Sequence, residues 1–170
     1  SISFALKGFD VTAVEPDPSD LVGAGAIKIL KEKFGLKNIS VFKEYAENLN
    51  FKNEFFDIVF IRQAMHHAND LTKFISESAR VLKRGGILFT VRDHVAYNIR
   101  DKQLFLNSHP LHKFYGGENA FSDKEYENAM KVSKLDIILK LKHFDSIINY
   151  YPLRKEEELN KLEKKKRDAI

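Results

Sequence analysis

Apolar positions change their period several times along the chain, and each change marks an element. Ile2, Ala5 and Leu6 share one helical face, and Gly8 follows where a helix C-terminal glycine belongs. Val11–Val14 reads as a short buried strand that stops at Glu15. Pro16-Asp17-Pro18-Ser19 is a turn, with Ser19 or Asp20 placed to cap a helix over Leu21–Phe34. Leu21, Ile27, Leu30 and Phe34 are the apolar positions of that helix. Gly23 and Gly25 weaken it by roughly 1 kcal/mol each relative to alanine. Either the backbone there approaches something closely or the helix starts late, and Gly35 ends it. Ile39–Phe42 is the next strand. Phe56–Ile61 is apolar enough for a strand covered by helices on both faces. Asp70 caps a helix over Leu71–Leu82, in which Leu71, Phe74, Ile75, Ser78, Ala79 and Leu82 repeat with a helical period. Gly85-Gly86 stop it, and Ile87–Val91 is another buried strand.

Strands and helices alternating at this spacing predict a parallel sheet with right-handed crossovers. After Val91 the pattern breaks. Residues 92–121 are polar and His-rich, with one amphipathic piece near Lys102–Leu106. A connection this long inside a compact domain is functional or a lid. Ser122, with Glu125 three residues on, starts a helix over Asp123–Val132. Ile137–Leu141 reads as a strand, and Phe144–Pro152 as a returning strand or a substrate-facing loop. Lys155–Arg167 reads as a charged, weakly amphipathic helix. The expected organisation is one α/β domain over 1–152, with 92–121 as a substrate lid or insertion, and a charged C-terminal helix over 153–170.

Composition narrows the classes. At 170 residues, 44% apolar and 31% charged, the chain has the make-up of a single soluble globular domain. It has no cysteine, which excludes disulfides and thiolate metal sites. The net charge of +4 owes much to Lys161–Arg167, a stretch that suits a solvated helix. No basic patch is interleaved with aromatic residues, so no nucleic-acid partner is expected. The longest apolar runs, Phe55–Ile61 and Ile87–Val91, are far too short to span a bilayer. The expectation is a cytoplasmic protein that acts on a small molecule, without a membrane partner.

Candidate chemistry gathers at the carboxyl ends of the strands, where open α/β sheets hold their ligands. Glu15 stands at one such end, and a carboxylate there accepts hydrogen bonds from both ribose hydroxyls of an adenosine-bearing cofactor. A nicotinamide-dinucleotide unit predicts the same acid, and a solvated strand-end acid is the plain alternative. Arg62-Gln63-Ala64-Met65-His66-His67 begins where the Phe56–Ile61 strand ends. Arg62 can pair with a carboxylate, and His66 or His67 can serve as a general base. Alternatively one histidine packs beneath the following helix and the other lies by its cap. Adjacent histidines in an extended segment point in opposite directions, so His66, His67 and His94 offer no metal-ligand spacing. Arg92-Asp93-His94 ends the next strand. His109, His112, Tyr115, Glu118, Asn119, Asn149 and Tyr150 are separated in sequence but can converge on one cleft, or simply stitch loops to the sheet.

The stretches AENLNF (Ala46–Phe51), FDIVFIRQAMHH (Phe56–His67) and RVLKRGG (Arg80–Gly86), in that order, resemble the class I S-adenosylmethionine-dependent methyltransferases of the type 11 kind. The resemblance implies a Rossmann-like, doubly wound, mostly parallel sheet. It places S-adenosyl-L-methionine across Glu15, Pro16, Ala46, Glu47, Arg62, Gln63 and Ala64. It makes His66, His67 and His94 the catalytic candidates, and Arg92, His109, His112, Tyr115, Glu118, Asn119, Asn149 and Tyr150 the substrate-binding ones. Tyr45 stands where many relatives carry an acid that would read the adenine edge. HPLHKFYGGENAF and FDSIINYYP resemble segments of a methyltransferase subgroup often associated with cell-surface polysaccharide or other secondary pathways, a fold-level analogy that points to a polar, hydroxyl-bearing and sugar-like acceptor. The implied reaction is attack of a substrate oxygen or nitrogen on the sulfonium methyl. The strand and G-x-G-x-G loop that cradle the methionine part in this family do not precede Ser1 in the sequence, and a seventh strand after the tail helix is not evident. The chain as it stands is therefore expected to bind S-adenosylhomocysteine weakly or not at all by calorimetry. A cofactor-dead module of the same fold is the alternative. A nicotinamide-dependent oxidoreductase stands behind it, since nothing here resembles its catalytic residues.

Overall fold

A computed structural model describes residues 1–108, 119–142 and 144–168. Helix α1 spans Ile2–Leu6, strand β1 Val11–Val14, helix α2 Ala24–Lys33 and strand β2 Ile39–Phe42. Strand β3 spans Phe56–Arg62, helix α3 Leu71–Val81 and strand β4 Leu82–Val91. Helices α4, α5 and α6 follow over Ile99–Ser108, Asp123–Val132 and Lys155–Asp168.

The strands pair in parallel, as the alternating pattern predicts. They do so as two ribbons. In one, β1 and β2 run in register from Val11↔Ile39 to Val14↔Phe42. In the other, β3 and β4 run from Ile58↔Ile87 to Arg62↔Val91. Each ribbon has its own core. Ala5, Ala13 and Ile39 form the first, with Ile2, Val11 and Ile27 packed against them. Ile61, Leu71, Phe74, Ile75, Tyr126 and Ala129 lie in the second, where α3 and α5 cover one face of β3–β4. Aromatic contacts join the ribbons. Phe4 of α1 meets Phe60 of β3 edge-on at 5.0 Å, and Phe51 meets both Phe42 and Phe56 at 5.2 Å.

Local chemistry explains the element ends. Asp70 caps α3 by accepting from the Lys73 amide at 2.9 Å. The expected stop at Gly85-Gly86 comes earlier. The helix ends at Val81, and the two glycines lie inside β4, where the register jumps from Phe56↔Leu82 to Ile58↔Ile87. Gly85 has φ +75°, and a Cβ on Gly86 would stand 2.9 Å from the Asp57 carbonyl oxygen. The bulge, rather than the helix stop, is what needs glycine. In α2 both readings of its glycines hold. The helix starts late, at Ala24, and a Cβ on Gly23 would meet the Asp17 carbonyl oxygen at 2.2 Å. Ser19 Oγ accepts from the Gly23 amide ahead of the helix, and Leu21 is solvent-exposed instead of lining its apolar face.

Two further expectations are corrected, and one pair of alternatives is decided. The second face of strand β3 is only partly covered: Phe4 of α1 meets Phe60, yet Ile58 and Phe60 remain 42% and 40% exposed. Ile137–Leu141 is not a strand. An apolar run becomes one only where its backbone finds a ladder, and this segment finds none among the described residues. It is tethered by Lys140, whose ammonium reaches Asp123 and Glu127 of α5, while Ile138 and Leu139 face solvent. Phe144–Pro152 does not return as a strand either. Ser146 Oγ accepts from the Ile148 amide and turns Ile147–Asn149 into a short 3-10 helix.

The start of α5 matches the sequence reading in full. Ser122 Oγ accepts from the Glu125 amide, and the Glu125 carboxylate accepts from the Ser122 amide at 2.7 Å. Those contacts hold the Glu125 carboxyl below its ordinary range. Ser122→Ala should cost about 1 kcal/mol in urea unfolding. A change within error would show that the reciprocal cap does not support α5.

Candidate functional site

The carboxyl ends of β3 and β4 carry the densest chemistry. Both strands leave the ribbon through an unusual backbone. Gln63, directly after β3, has φ +50°, and Arg92, directly after β4, has φ +60°. Left-handed conformations cost a non-glycine residue free energy and persist where the surroundings over-determine them. Here the Gln63 amide donates to the Val91 carbonyl at 3.0 Å, which ties the two turns together.

The turns aim two loops at one another. Past Gln63 the chain coils into a 3-10 turn, Met65–His67. Past Arg92 it presents Asp93. The Asp93 Oδ1 atom accepts from the His66 backbone amide at 3.2 Å and from His66 Nδ1 at 3.0 Å. The His66 and Asp93 side chains are 10% and 6% exposed. A carboxylate only accepts, so it holds the proton of the neutral imidazole on Nδ1 and directs the ring's lone pair to Nε2. The second carboxylate oxygen, Oδ2, is buried and takes no hydrogen bond from the described residues.

Two other described histidines, His67 and His94, lie near this pair. The His67 ring lies 4.1 Å from that of His66, so the two do not diverge as an extended segment would require. The 3-10 turn, which brings neighbours onto one side, is the reason. His94 stacks on Phe105 of α4 with ring centroids 3.8 Å apart, and its carbonyl accepts from the Tyr126 hydroxyl at 2.9 Å. Burial pushes the Tyr126 phenol far above its ordinary range, with the Asp93 charge adding to the effect, so Tyr126 stays a neutral donor.

The predicted substrate residues divide. Asn119 is committed to backbone: its amide donates to the His66 carbonyl at 3.0 Å, and its side-chain oxygen accepts from Ala120. Arg92 reaches the Tyr151 carbonyl at 3.4 Å, which draws the Asn149–Tyr151 segment toward the end of β4. Asn149 itself donates to the Lys142 carbonyl at 3.1 Å. His109, His112, Tyr115 and Glu118 lie outside the described residues. Asp93, whose position at a strand end was legible but whose role was not, is the residue that sequence reasoning passed over. Its only signal was an acid between Arg92 and His94 where a strand stops.

The first ribbon supplies a second set of groups. The Glu15 amide donates to the Phe42 carbonyl at 3.0 Å, so Glu15 sits at the carboxyl end of β1, beside that of β2. One of its carboxylate oxygens accepts from the Asp17 amide across Pro16. From Ala46, the next loop crosses to the second ribbon. Ala46 packs against the α3 core, and Glu47 Oε1 accepts from the Asn69 amide at 3.0 Å. The Glu47 side chain thus braces the loop. Arg62 and Gln63 are exposed at the end of β3. The site is an open edge shared by both ribbons, with acidic and backbone groups on one side and the His66–Asp93 pair on the other.

Residues 2–90 match the family model of the methyltransferase domain. The chain belongs to that family. The chain is 34% identical over 99 residues to the uncharacterized methyltransferase YcgJ of Bacillus subtilis, across 54% of this chain and 39% of YcgJ. Against the ubiquinone/menaquinone biosynthesis C-methyltransferase UbiE of Campylobacter jejuni it is 30% identical over 136 residues, across 75% of this chain and 54% of UbiE. The crystal structure of YcgJ has a TM-score of 0.64 at 23% identity, covering 88% of this chain and 64% of that one. The geranyl diphosphate C-methyltransferase of Streptomyces coelicolor, solved with S-adenosyl-L-homocysteine, has a TM-score of 0.62 at 16% identity, covering 78% of this chain and 47% of that one. The fold is the Rossmann-like methyltransferase fold, and the family's cofactor is S-adenosyl-L-methionine. The chain spans about half or less of the length of these curated relatives. No described helix is long and apolar enough to cross a membrane.

The donor set of this methyltransferase domain fits the adenosine end of that cofactor. The Glu15 carboxylate at the end of β1 has the acceptor oxygens that a pair of ribose hydroxyls requires. Replacing Asp93 by Asn should lower the population of the Nδ1–H tautomer of His66, read by nitrogen-15 NMR of the ring. An unchanged tautomer ratio would mean that the 3.0 Å contact does not set the imidazole.

Proposed function

We propose that the protein transfers a methyl group from S-adenosyl-L-methionine to a small, hydroxyl-bearing acceptor. The His66–Asp93 pair at the ends of β3 and β4 carries this reading. When bound, the cofactor supplies an electrophilic sulfonium methyl. The chain's part is alignment, water exclusion and removal of one proton. His66 Nε2 takes the proton of the acceptor's O–H or N–H group as that atom becomes methylated. Asp93 then stabilises the resulting imidazolium. Both side chains are nearly buried, so their interaction is little screened by water. The unpartnered Asp93 Oδ2 accepts a second acceptor hydroxyl, which favours a polyhydroxylated molecule over a flat apolar one.

Glu15, Pro16, Ala46 and Glu47 hold the adenosine part of the cofactor, and Arg62, Gln63 and Ala64 face its amino-acid end. Arg92, with Asn149 and Tyr150 drawn in beside it, borders the acceptor. His67, exposed next to His66, stands at the mouth. UbiE is named a C-methyltransferase. A carbon acceptor must also lose a proton, so a screen of oxygen, nitrogen and carbon acceptors decides the atom. No transfer to any of them, with no cofactor bound, would leave a cofactor-dead module of the same fold.

Two substitutions separate the parts. His66→Ala should lower turnover by about 10²–10⁴-fold, the range of a general base, while leaving cofactor affinity in place. Retained turnover would remove His66 from the chemistry. In a version of the chain carrying the family's Gly-rich loop, Glu15→Ala should weaken S-adenosylhomocysteine binding by about 1.5–3 kcal/mol, the scale of charge-linked hydrogen bonds. An unchanged dissociation constant would take Glu15 out of the site.

A further inference from the structure

The RVLKRGG motif contributes one residue that neither the fold nor the proposed chemistry accounts for. Arg80 lies in the last turn of α3, with its guanidinium turned under the loop that follows β2. All five of its N–H donors are matched. Nε donates to Glu77 Oε1 at 2.7 Å, and Nη2 to Glu77 Oε2 at 2.8 Å. Nη2 also donates to the Leu49 carbonyl at 2.7 Å. Nη1 donates to the Phe51 carbonyl at 2.7 Å and to Asn53 Oδ1 at 2.9 Å. Glu77 completes the arrangement, because its Oε2 accepts from the Leu49 amide at 3.0 Å. Leu49 is therefore gripped by both of its backbone groups. The pairing holds the Glu77 carboxyl below its ordinary range and raises the Arg80 guanidinium, each through its hydrogen bond to the other.

We propose that the Arg80–Glu77 pair is a positioning device for the cofactor loop, setting the Ala46–Glu47 backbone that faces the adenine by clamping the chain at Leu49. This rests on the reading of Ala46–Glu47 as the adenine wall. Two further ties make the loop a short closed unit. The Asn50 backbone amide donates to Glu44 Oε2 and the Asn69 backbone amide to Glu47 Oε1, each at 3.0 Å. With Glu44–Asn50 and Glu47–Asn69 closed, displacement of Leu49 is transmitted to Ala46 and Glu47 rather than absorbed between them. A fork of five donors is needed because three of the acceptors are oxygens of Leu49, Phe51 and Asn53 pointing in from different directions. A lysine ammonium keeps the charge but cannot reach them together.

The test uses the nitrogen-15-labelled full chain and the variants Arg80→Lys, Glu77→Gln and, as a control on an exposed pair, Arg84→Lys. S-adenosylhomocysteine and adenosine are titrated to millimolar concentration, and amide shifts of Ala46 and Glu47 are followed. Arg80→Lys should raise both dissociation constants by about ten-fold and speed hydrogen exchange at the Leu49 amide, with Glu77→Gln intermediate and Arg84→Lys unchanged. All measurements are made below the unfolding transition of the weakest variant. Faster exchange at Leu49 with unchanged dissociation constants would overturn the proposal, since the pair would then only staple the loop. So would unchanged exchange. If the unaltered chain shows no Ala46 or Glu47 shift with adenosine, which has no methionine part to hold, the adenine-wall reading fails first, and the proposal falls with it.

Discussion

The parallel pairing of β3 with β4 ends at Arg62↔Val91, and both chains then turn through the left-handed region at Gln63 and Arg92. Everything distinctive about the site follows from that ending. The amide of Gln63 closes on the Val91 carbonyl, so the two loops start from a common, rigid edge. A one-residue slip of the ladder would turn each strand's inward side chains outward and separate Asp93 from His66. The Gly85-Gly86 bulge absorbs the register change at the opposite end of the ribbon, leaving the ladder from Ile58 to Arg62 regular. Two of the chain's left-handed residues stand where this edge begins, above the α3–α5 core.

The two ribbons divide the work of the site. The first carries Glu15 and sends the Ala46–Glu47 loop across, and the second carries the histidines and Asp93. Between them run aromatic contacts and the Arg80 fork rather than a continuous ladder. Directional bonds to charged groups hold a loop to a tighter geometry than ring packing does, because each fixes an angle as well as a distance. That distinction explains why the side with Glu15 and Ala46–Glu47 depends on a few polar residues, while the side with His66 and Asp93 depends on strand register.

Much of this was legible in the residues. The alternation of short apolar strands with helical periods led to a parallel α/β fold, and Asp70 and Ser122 marked their helix starts because capping is local chemistry. The strand-end positions of Glu15, Arg62 and Arg92 followed from the same pattern. The failures share one cause. Ile137–Leu141 has the residues of a strand, but a strand also needs a partner edge. The apolar β3 implied two covered faces, yet Ile58 and Phe60 stay partly exposed. Gly85-Gly86 looked like a helix stop because a bulge leaves no periodic trace of its own.

Sequence by itself determined the fold class, the family and the list of polar groups at the strand ends, since these depend on period, capping and motif order within a few residues. Tertiary structure alone decided which of those groups meet. Asp93 is 27 residues from His66, and Arg80 is 31 from Leu49. Contacts across such separations are set by register and by the path of the intervening chain. The 3-10 turn that lays His67 beside His66, and the left-handed turns that face Asp93 toward them, arise from that packing and have no signature in the residues themselves.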